Sequence, residues 1–374
     1  MNVPTKNAML LRRILLWPFT LLYGFALVVR HALYDAAFLK RTRPSVPTIA
    51  IGNLALGGTG KTPMLEAILR ILAEISPVAT LSRGYGRTGN DIHEVHVEDL
   101  ASQSGDEPVQ IKRKFPLVRV FVGADRVRAI DRIQREVPDA KVVVLDDAFQ
   151  HRRLDAGLNI LLTTWKHPYC DDALLPTGRL RDLRSRAKAA EVVVVTKCPR
   201  TPSASEQVEW RGRLGLNERQ RLFFAGIEYV PLLTMGRPDG PAADRETLQD
   251  PRGDIGATGG PDVLLFTGIA DPAPLVTHMK SMAEKLEHIA FADHHAFTRA
   301  DLRRLADRYA NFAAGPKMLV TTEKDAARLS SSIAGSSLEG LPLAVIGMRT
   351  VILNEPERFA ELIHRHVETH PAHR

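Results

Sequence analysis

The chain opens on an apolar stretch without a charged side chain, residues 14–29 (ILLWPFTLLYGFALVV). Arg12 and Arg13 precede it, and Arg30, Lys40, Arg41 and Arg43 follow. The stretch is shorter than the roughly 20 residues that span a bilayer. No small-residue cleavage site follows, which argues against a cleaved signal. Crossing would strand Lys6, Arg12 and Arg13 on the far side, against the positive-inside tendency. The pattern predicts one or two helices over residues 9–40, lying in or dipping into the cytosolic leaflet, with Trp17 and Tyr23 near the headgroups.

After residue 44 the pattern becomes strand, loop, helix, repeatedly. Short apolar runs rich in Val and Ile predict strands at 48–52, 78–82, 118–122, 142–146, 160–163, 192–196 and 222–227, as in a parallel sheet covered on both faces. Helices are predicted at 63–75, 125–135 and 203–214. Residues 235–262 are rich in Gly, Pro and Asp and read as a linker or exposed loop. A second alternating unit follows, with strands at 263–267, 318–322 and 343–346 and helices at 272–285, 298–309 and 355–366. The expected fold is α/β: a P-loop NTPase-like, doubly wound, mostly parallel sheet over 45–234, a second smaller α/β domain over 263–374, and an N-terminal membrane-associated helical segment over 1–44.

Composition changes this picture little. With 374 residues, 25% charged and 44% hydrophobic, the chain is long enough for two domains and is not disordered. The net charge of +7 suits nucleic acid, anionic lipid or a phosphorylated substrate. No nucleic-acid recognition motif or aromatic-basic interleaving accompanies it. Two distant cysteines, Cys170 and Cys198, make neither a disulfide framework nor a zinc site and fit a reducing compartment.

The chemistry is concentrated after the first strand. There the chain reads Asn53-Leu54-Ala55-Leu56-Gly57-Gly58-Thr59-Gly60-Lys61-Thr62 and enters a helix. This is a P-loop with Ala55 in place of the usual first Gly. The glycines let backbone N–H groups turn inward around phosphate oxygens, and the helix N-terminus adds its dipole. Residues 55–62 are therefore the expected nucleotide cradle, with Lys61 reaching the β- and γ-phosphates of ATP and Thr62 a ligand for Mg²⁺. Four apolar residues ending in Asp146 and Asp147 complete the pattern. One carboxylate is suited to Mg²⁺ and the other to the γ-phosphate or the nucleophile. A guanine-reading (N/T)KxD element is missing its Asp, because Pro199 stands there, and Leu56 stands where deviant-Walker ATPases carry Lys.

In order along the chain, GNLALGGTGKTP, LSRGYGR (81–87), GDEP (105–108), VFVGADR (120–126), LDDAFQHR (145–152), LLPTGRLRD (174–182), FADHHAF (291–297) and TTEKDA (321–326) resemble the tetraacyldisaccharide 4′-kinase family over nearly the whole chain. The resemblance implies transfer of the γ-phosphate of ATP to the 4′-hydroxyl of a tetraacylated glucosamine disaccharide phosphate. The setting it implies is the cytosolic face of the inner membrane of Gram-negative bacteria. It also implies a catalytic pair, Asp106 of GDE and His294, the first His of the DHH segment, with His295 the rival for the same role. Such a pair, drawn from two domains, is expected to meet only on domain closure. Asp106 has a structural alternative as a helix N-cap. Arg126, Arg179 and Arg181 sit in family motifs and suit transferring or substrate phosphate, and Arg181 is the one placed among the catalytic residues. Gln150 and His151 are expected to line the pocket, and Lys324 and Asp325 to serve either the nucleotide or the fold. The competing class is a membrane-associated P-loop ATPase switch with no phosphoacceptor. Oligomeric state has no sequence signature here.

Overall fold

The computed structural model describes residues 6–234, 261–269, 271–293, 295–312, 315–329 and 332–370. Nearly all of the expected linker, and His294, lie outside them. The chain forms two compact units, Met1–Ile227 with Thr350–Arg374, and Glu228–Arg349.

The first unit begins with α1 (Lys6–Asp35), a single 30-residue helix carrying Pro18. It is longer than the apolar run alone suggested, and Leu15–Asp35 is long and apolar enough to cross a membrane by length and composition. The elements that follow are β1 (Thr48–Asn53), α2 (Lys61–Ile71), β2 (Val78–Ser82), β3 (His93–Glu94), α3 (Ala101–Ser104), α4 (Asp106–Lys114), β4 (Arg119–Val122), α5 (Arg126–Glu136), β5 (Val142–Leu145), β6 (Leu158–Thr164), β7 (Val192–Thr196), α6 (Ala204–Arg213) and the start of β8 (Arg221–Thr234). Their sheet runs β8-β7-β6-β1-β5-β2-β4-β3. Its pairs are parallel except β3 with β4.

Alternation across each strand explains why the sheet is wound on both sides. On β5, Val142 and Val144 join one core layer with Met64 and Ile68 of α2. Val143 and Leu145 join the opposite layer with Ala129, Ile130 and Ile133 of α5. Val192 and Val194 of β7 lie in the first layer, whereas Val193 and Val195 meet Trp210 and Leu214 at α6. A β-branched strand buried on both faces contributes roughly 1.5–3 kcal/mol per such side chain from area burial, and no polar position is needed on it.

The second unit contains β9 (Asp262–Thr267), α7 (Ala273–Met282), β10 (Leu286–Ala290), α8 (Arg299–Ala310), β11 (Lys317–Thr322), α9 (Glu323–Leu329) and the start of β12 (Leu343–Ile352). Its strands run β10-β9-β11-β12, all parallel. The chain then re-enters the first unit and ends in α10 (Pro356–Glu368). This corrects the expected division at 263–374: Phe359, Ile363 and Val367 of α10 complete the first unit's core beside α2.

Candidate active site

β1 is buried throughout and ends at Asn53. Nothing larger than Gly52 fits there, because a Cβ would overlap Phe149. That close approach seats the turn after β5 against the end of β1, where Ala148 N–H donates to the Ile51 carbonyl at 3.1 Å. The P-loop then folds on its own side chains. Asn53 Nδ2 donates to the Ala55 carbonyl and to Thr59 Oγ1, each at 2.8 Å. Gly57 and Gly60 have φ of 111° and 86°, a left-handed region costly for other residues. Gly60 caps α2 with its backbone alone, so the first turn at Lys61 and Thr62 presents N–H groups and the helix dipole to an anion. Thr196 Oγ1, at the end of β7, donates to the Thr59 carbonyl at 2.8 Å and holds the loop from the other side.

The segment 179–181 lies along the P-loop edge. Leu56 N–H donates to the Arg179 carbonyl and Arg181 N–H to the Leu54 carbonyl, both at 2.8 Å. Arg181 therefore reaches over the loop. Its guanidinium makes a two-pronged pair with Asp147, one bond at 3.0 Å, and donates to Asn53 Oδ1 at 2.5 Å. Lys61 Nζ lies 3.8 Å from the same Asp147 carboxylate. Asp147 has a left-handed backbone, φ 47°, tolerable for Asp. Two of the expected phosphate-binding cations, Lys61 and Arg181, thus converge on one carboxylate beside the P-loop. Arg179, in contrast, turns its side chain to Asp172 at 2.8 Å.

Asp146 and Asp147 differ electrostatically. Burial and the charge of Asp147, with a further push from Glu107, raise Asp146 to about 6. Its Oδ1 is buried with no hydrogen-bond partner among the described residues. Burial also works to raise Asp147, but the Arg181 hydrogen bond and the charge of Lys61 hold it below the usual carboxylate range. An unpartnered buried carboxylate oxygen, with Thr62 in the first turn of α2, fits a hard cation such as Mg²⁺, which takes oxygen ligands. Asp147 is the poorer ligand because two cations already occupy it.

Beside Asp146 sits Arg126, 2% exposed. It donates to the Gly123 carbonyl and, at 3.2 Å, to the Asp146 carbonyl, and burial pushes its pKa down to about 10. Arg126, His151, Arg153 and Asp125 line a cavity of about 280 Å³. Burial, with the charges of Arg126 and Arg83, depresses His151 to about 4, so its ring is neutral at pH 7.

Asp106 opens α4, and Gly105, not Asp106, is the cap. A Cβ on Gly105 would meet Gly84 Cα at 3.1 Å. The start of α4 is thereby pressed against the loop that leaves β2, at the edge of the sheet where parallel strands end and where α/β proteins bind ligands. In the second unit, His295 is held by other contacts: its Nε2 lies 3.0 Å from Asp301 Oδ2 and its ring stacks on Phe291, centroids 4.7 Å apart. Asp325 is fully buried, accepting from Gly268 N–H at 2.9 Å and Thr322 Oγ1 at 2.8 Å, a structural role. Lys324 Nζ stands 4.0 Å from Asp293 Oδ1.

Sequence reasoning missed the site's support from α1. Tyr23 Oη donates to the Arg181 carbonyl at 2.7 Å, and Arg30 donates to the Gln150 carbonyl at 3.1 Å. His31 pairs with Asp182 at 2.6 Å. The one available signal was the helical spacing of Tyr23, inside the apolar stretch, from Arg30 and His31, just after it.

A family model described as Tetraacyldisaccharide-1-P 4′-kinase matches residues 12–368. A tetraacyldisaccharide 4′-kinase of Flavobacterium johnsoniae is 39% identical over 94% of this chain and 95% of its own. One from Parabacteroides distasonis is 38% identical over 95% of each chain. The crystal structure of LpxK from Aquifex aeolicus in complex with ATP superposes with a TM-score of 0.70 at 26% identity, covering 95% of this chain and 99% of that one. The P-loop, the paired carboxylates and the motifs of both units thus stand in a chain matched along nearly its full length: it belongs to the tetraacyldisaccharide-1-P 4′-kinase family.

Proposed function

We propose that this chain transfers the γ-phosphate of ATP to the 4′-hydroxyl of a tetraacyldisaccharide 1-phosphate, a step of lipid A biosynthesis, with Lys61 and Arg181 stabilising the phosphoryl group in flight. The observation that carries the residue assignment is their convergence on Asp147 beside the P-loop. Phosphoryl transfer asks the protein mainly for positioning and for charge stabilisation. Residues 55–62 and the α2 N-terminus bind the triphosphate, and Lys61 neutralises the β- and γ-oxygens. Asp147 orients the two cations before nucleotide arrives. Asp146 and Thr62 are the residues that would hold Mg²⁺, which would supply neutralisation of phosphate charge.

The 4′-oxygen attacks the γ-phosphorus, the bond to the β,γ-bridging oxygen breaks, and the hydroxyl proton leaves to a base. We assign that base function to Asp106, with His294 in the partner role the family resemblance implies. Arg126 and His151 suit an anionic group of the lipid at the adjoining cavity. The exposed apolar face of α1 carries Leu15, Trp17, Phe19, Leu22 and Phe25, and we assign it to the surface of the inner membrane on the cytosolic side, where ATP is available.

The test is incubation with labelled ATP and the acylated disaccharide 1-phosphate. Label should enter the glycolipid, and Lys61→Ala should lower turnover by about 10²–10³-fold with the fold intact. A Lys61→Ala variant with near-normal turnover would remove the P-loop from the mechanism.

A further inference from the structure

α1 presents two unlike faces. The residues withdrawn from solvent are Leu16, Thr20, Tyr23, Gly24, Leu27, Arg30, His31 and Tyr34, spaced three or four apart along one stripe. Among the described side chains of the helix, the hydrogen-bonding Thr20, Tyr23, Arg30, His31 and Tyr34 lie on that stripe. The large apolar side chains at 15, 17, 19, 21, 22, 25, 28 and 29 point out, the reverse of a soluble helix.

The inward stripe reaches Arg181 from both ends. At the main chain, Tyr23 Oη donates to the Arg181 carbonyl at 2.7 Å, on a segment whose other edge is bonded to Leu54 and Leu56. At the side chain, Arg30 donates to the Gln150 carbonyl, Gln150 Nε2 donates to the Asn53 carbonyl, and Arg181 donates to Asn53 Oδ1. Further along, the imidazole of His31 locks the helix. Arg152 can only donate, and its Nη1 lies 3.0 Å from His31 Nδ1. Nδ1 is therefore the acceptor, and Nε2–H donates to Asp182. Burial, ahead of the opposing pull of Asp182, keeps that ring below its ordinary pKa. A helix whose outer face takes a lipid surface is thus bolted to the cation that meets the transferring phosphate.

We propose that Tyr23 is a positioning residue for phosphoryl transfer: through its hydroxyl, α1 sets the main chain of Arg181 and so the Arg181–Asp147 pair beside Lys61. The inference rests on assigning Arg181 to the phosphoryl group, and a double-mutant cycle separates the two claims. The full chain, its Tyr23→Phe and Arg181→Ala variants and the double variant are assayed with ATP and the acylated disaccharide phosphate in mixed micelles. Tyr23→Phe keeps the ring and removes one hydrogen bond to a carbonyl. It should lower kcat about five- to tenfold, with less than about a twofold change in KM for ATP, because the P-loop is untouched. In the Arg181→Ala background the same substitution should cost nothing further. Equal losses in both backgrounds, or no loss with Arg181 intact, would overturn the positioning role and leave the site assignment standing. Full turnover in Arg181→Ala alone would overturn both.

Discussion

At Asp146 the fold has made one carboxylate poor at carrying charge. Its pKa of about 6, against 3.8 for an ordinary Asp, comes from burial first and from Asp147 second. The sign of the linkage follows. A folded pKa above the unfolded one means the folded protein holds the proton more tightly. The stability contributed by this group is therefore present in acid and is lost as pH rises from about 4 through about 6. Metal binding runs the other way, because a proton must leave before the carboxylate coordinates. The apparent Mg²⁺ requirement for turnover should be nearly constant above pH 7 and should rise about tenfold by pH 5, one unit below the pKa. Titrating turnover against Mg²⁺ at both pH values checks this, and a requirement that does not change would exclude Asp146 as a ligand. Sequence could mark Asp146 and Asp147 as a pair by their position after a buried strand. It could not say which would be claimed by Arg181, because that depends on the 179–181 segment folding back along Leu54 and Leu56.

Among the elements, α1 was legible as apolar and basic-flanked but not as a docked strut. Hydropathy sums over the circumference, whereas the structure separates an inward hydrogen-bonding stripe from an outward apolar one. β10 was not predicted at all. Its sequence LEHIA mixes polar and apolar positions and its residues are only partly buried, as expected of an edge strand with one side open. The face separation of α1 yields a prediction that deletion of the helix cannot test cleanly, because deletion would also strand Arg152 and Asp182 without His31. Leu22 and Phe25 are each 67% exposed, so Leu22→Glu with Phe25→Glu leaves the docked stripe in place. Each apolar side chain is worth roughly 1.5–3 kcal/mol in an apolar medium, so membrane partitioning of the double variant should fall at least about a hundredfold. Its thermal midpoint in detergent-free solution should stay within about 2 °C of the parent, since surface substitutions away from docked contacts change stability little. Sedimentation with anionic vesicles measures the first and calorimetry the second. Unchanged sedimentation would overturn the assignment of the outer face of α1 to a membrane surface.

Across the whole molecule the chain makes an excursion: it leaves the first unit within β8, builds a second α/β unit, and returns within β12 to finish the first. The return was invisible in sequence because α10 is amphipathic in its own right, and nothing in a 3.6-residue period says whose core the apolar stripe fills. Proximity along the chain pointed to the second unit, but packing gives α10 to the first. Phe359 is fully buried, with its ring edge-on to Phe223 at 5.1 Å, in the layer that also contains Met64, Leu65 and Ile68 of α2. The helix that follows the P-loop is therefore backed by α10. Cutting Phe359 to Ala should cost about 3–5 kcal/mol, the transfer and cavity terms of a buried aromatic. The cost should fall on the unit that carries the P-loop. In Phe359→Ala, denaturant should release ATP binding at a lower midpoint than in the parent, and added ATP should recover part of the difference, because a ligand of the folded form stabilises it in proportion to ln(1 + [L]/Kd). A matching truncation, Ile363→Ala on the same face of α10, should behave alike. If either variant lost its stability with the ATP-binding transition unmoved, α10 would belong energetically to the second unit, and the P-loop helix would have to draw its support from the sheet alone.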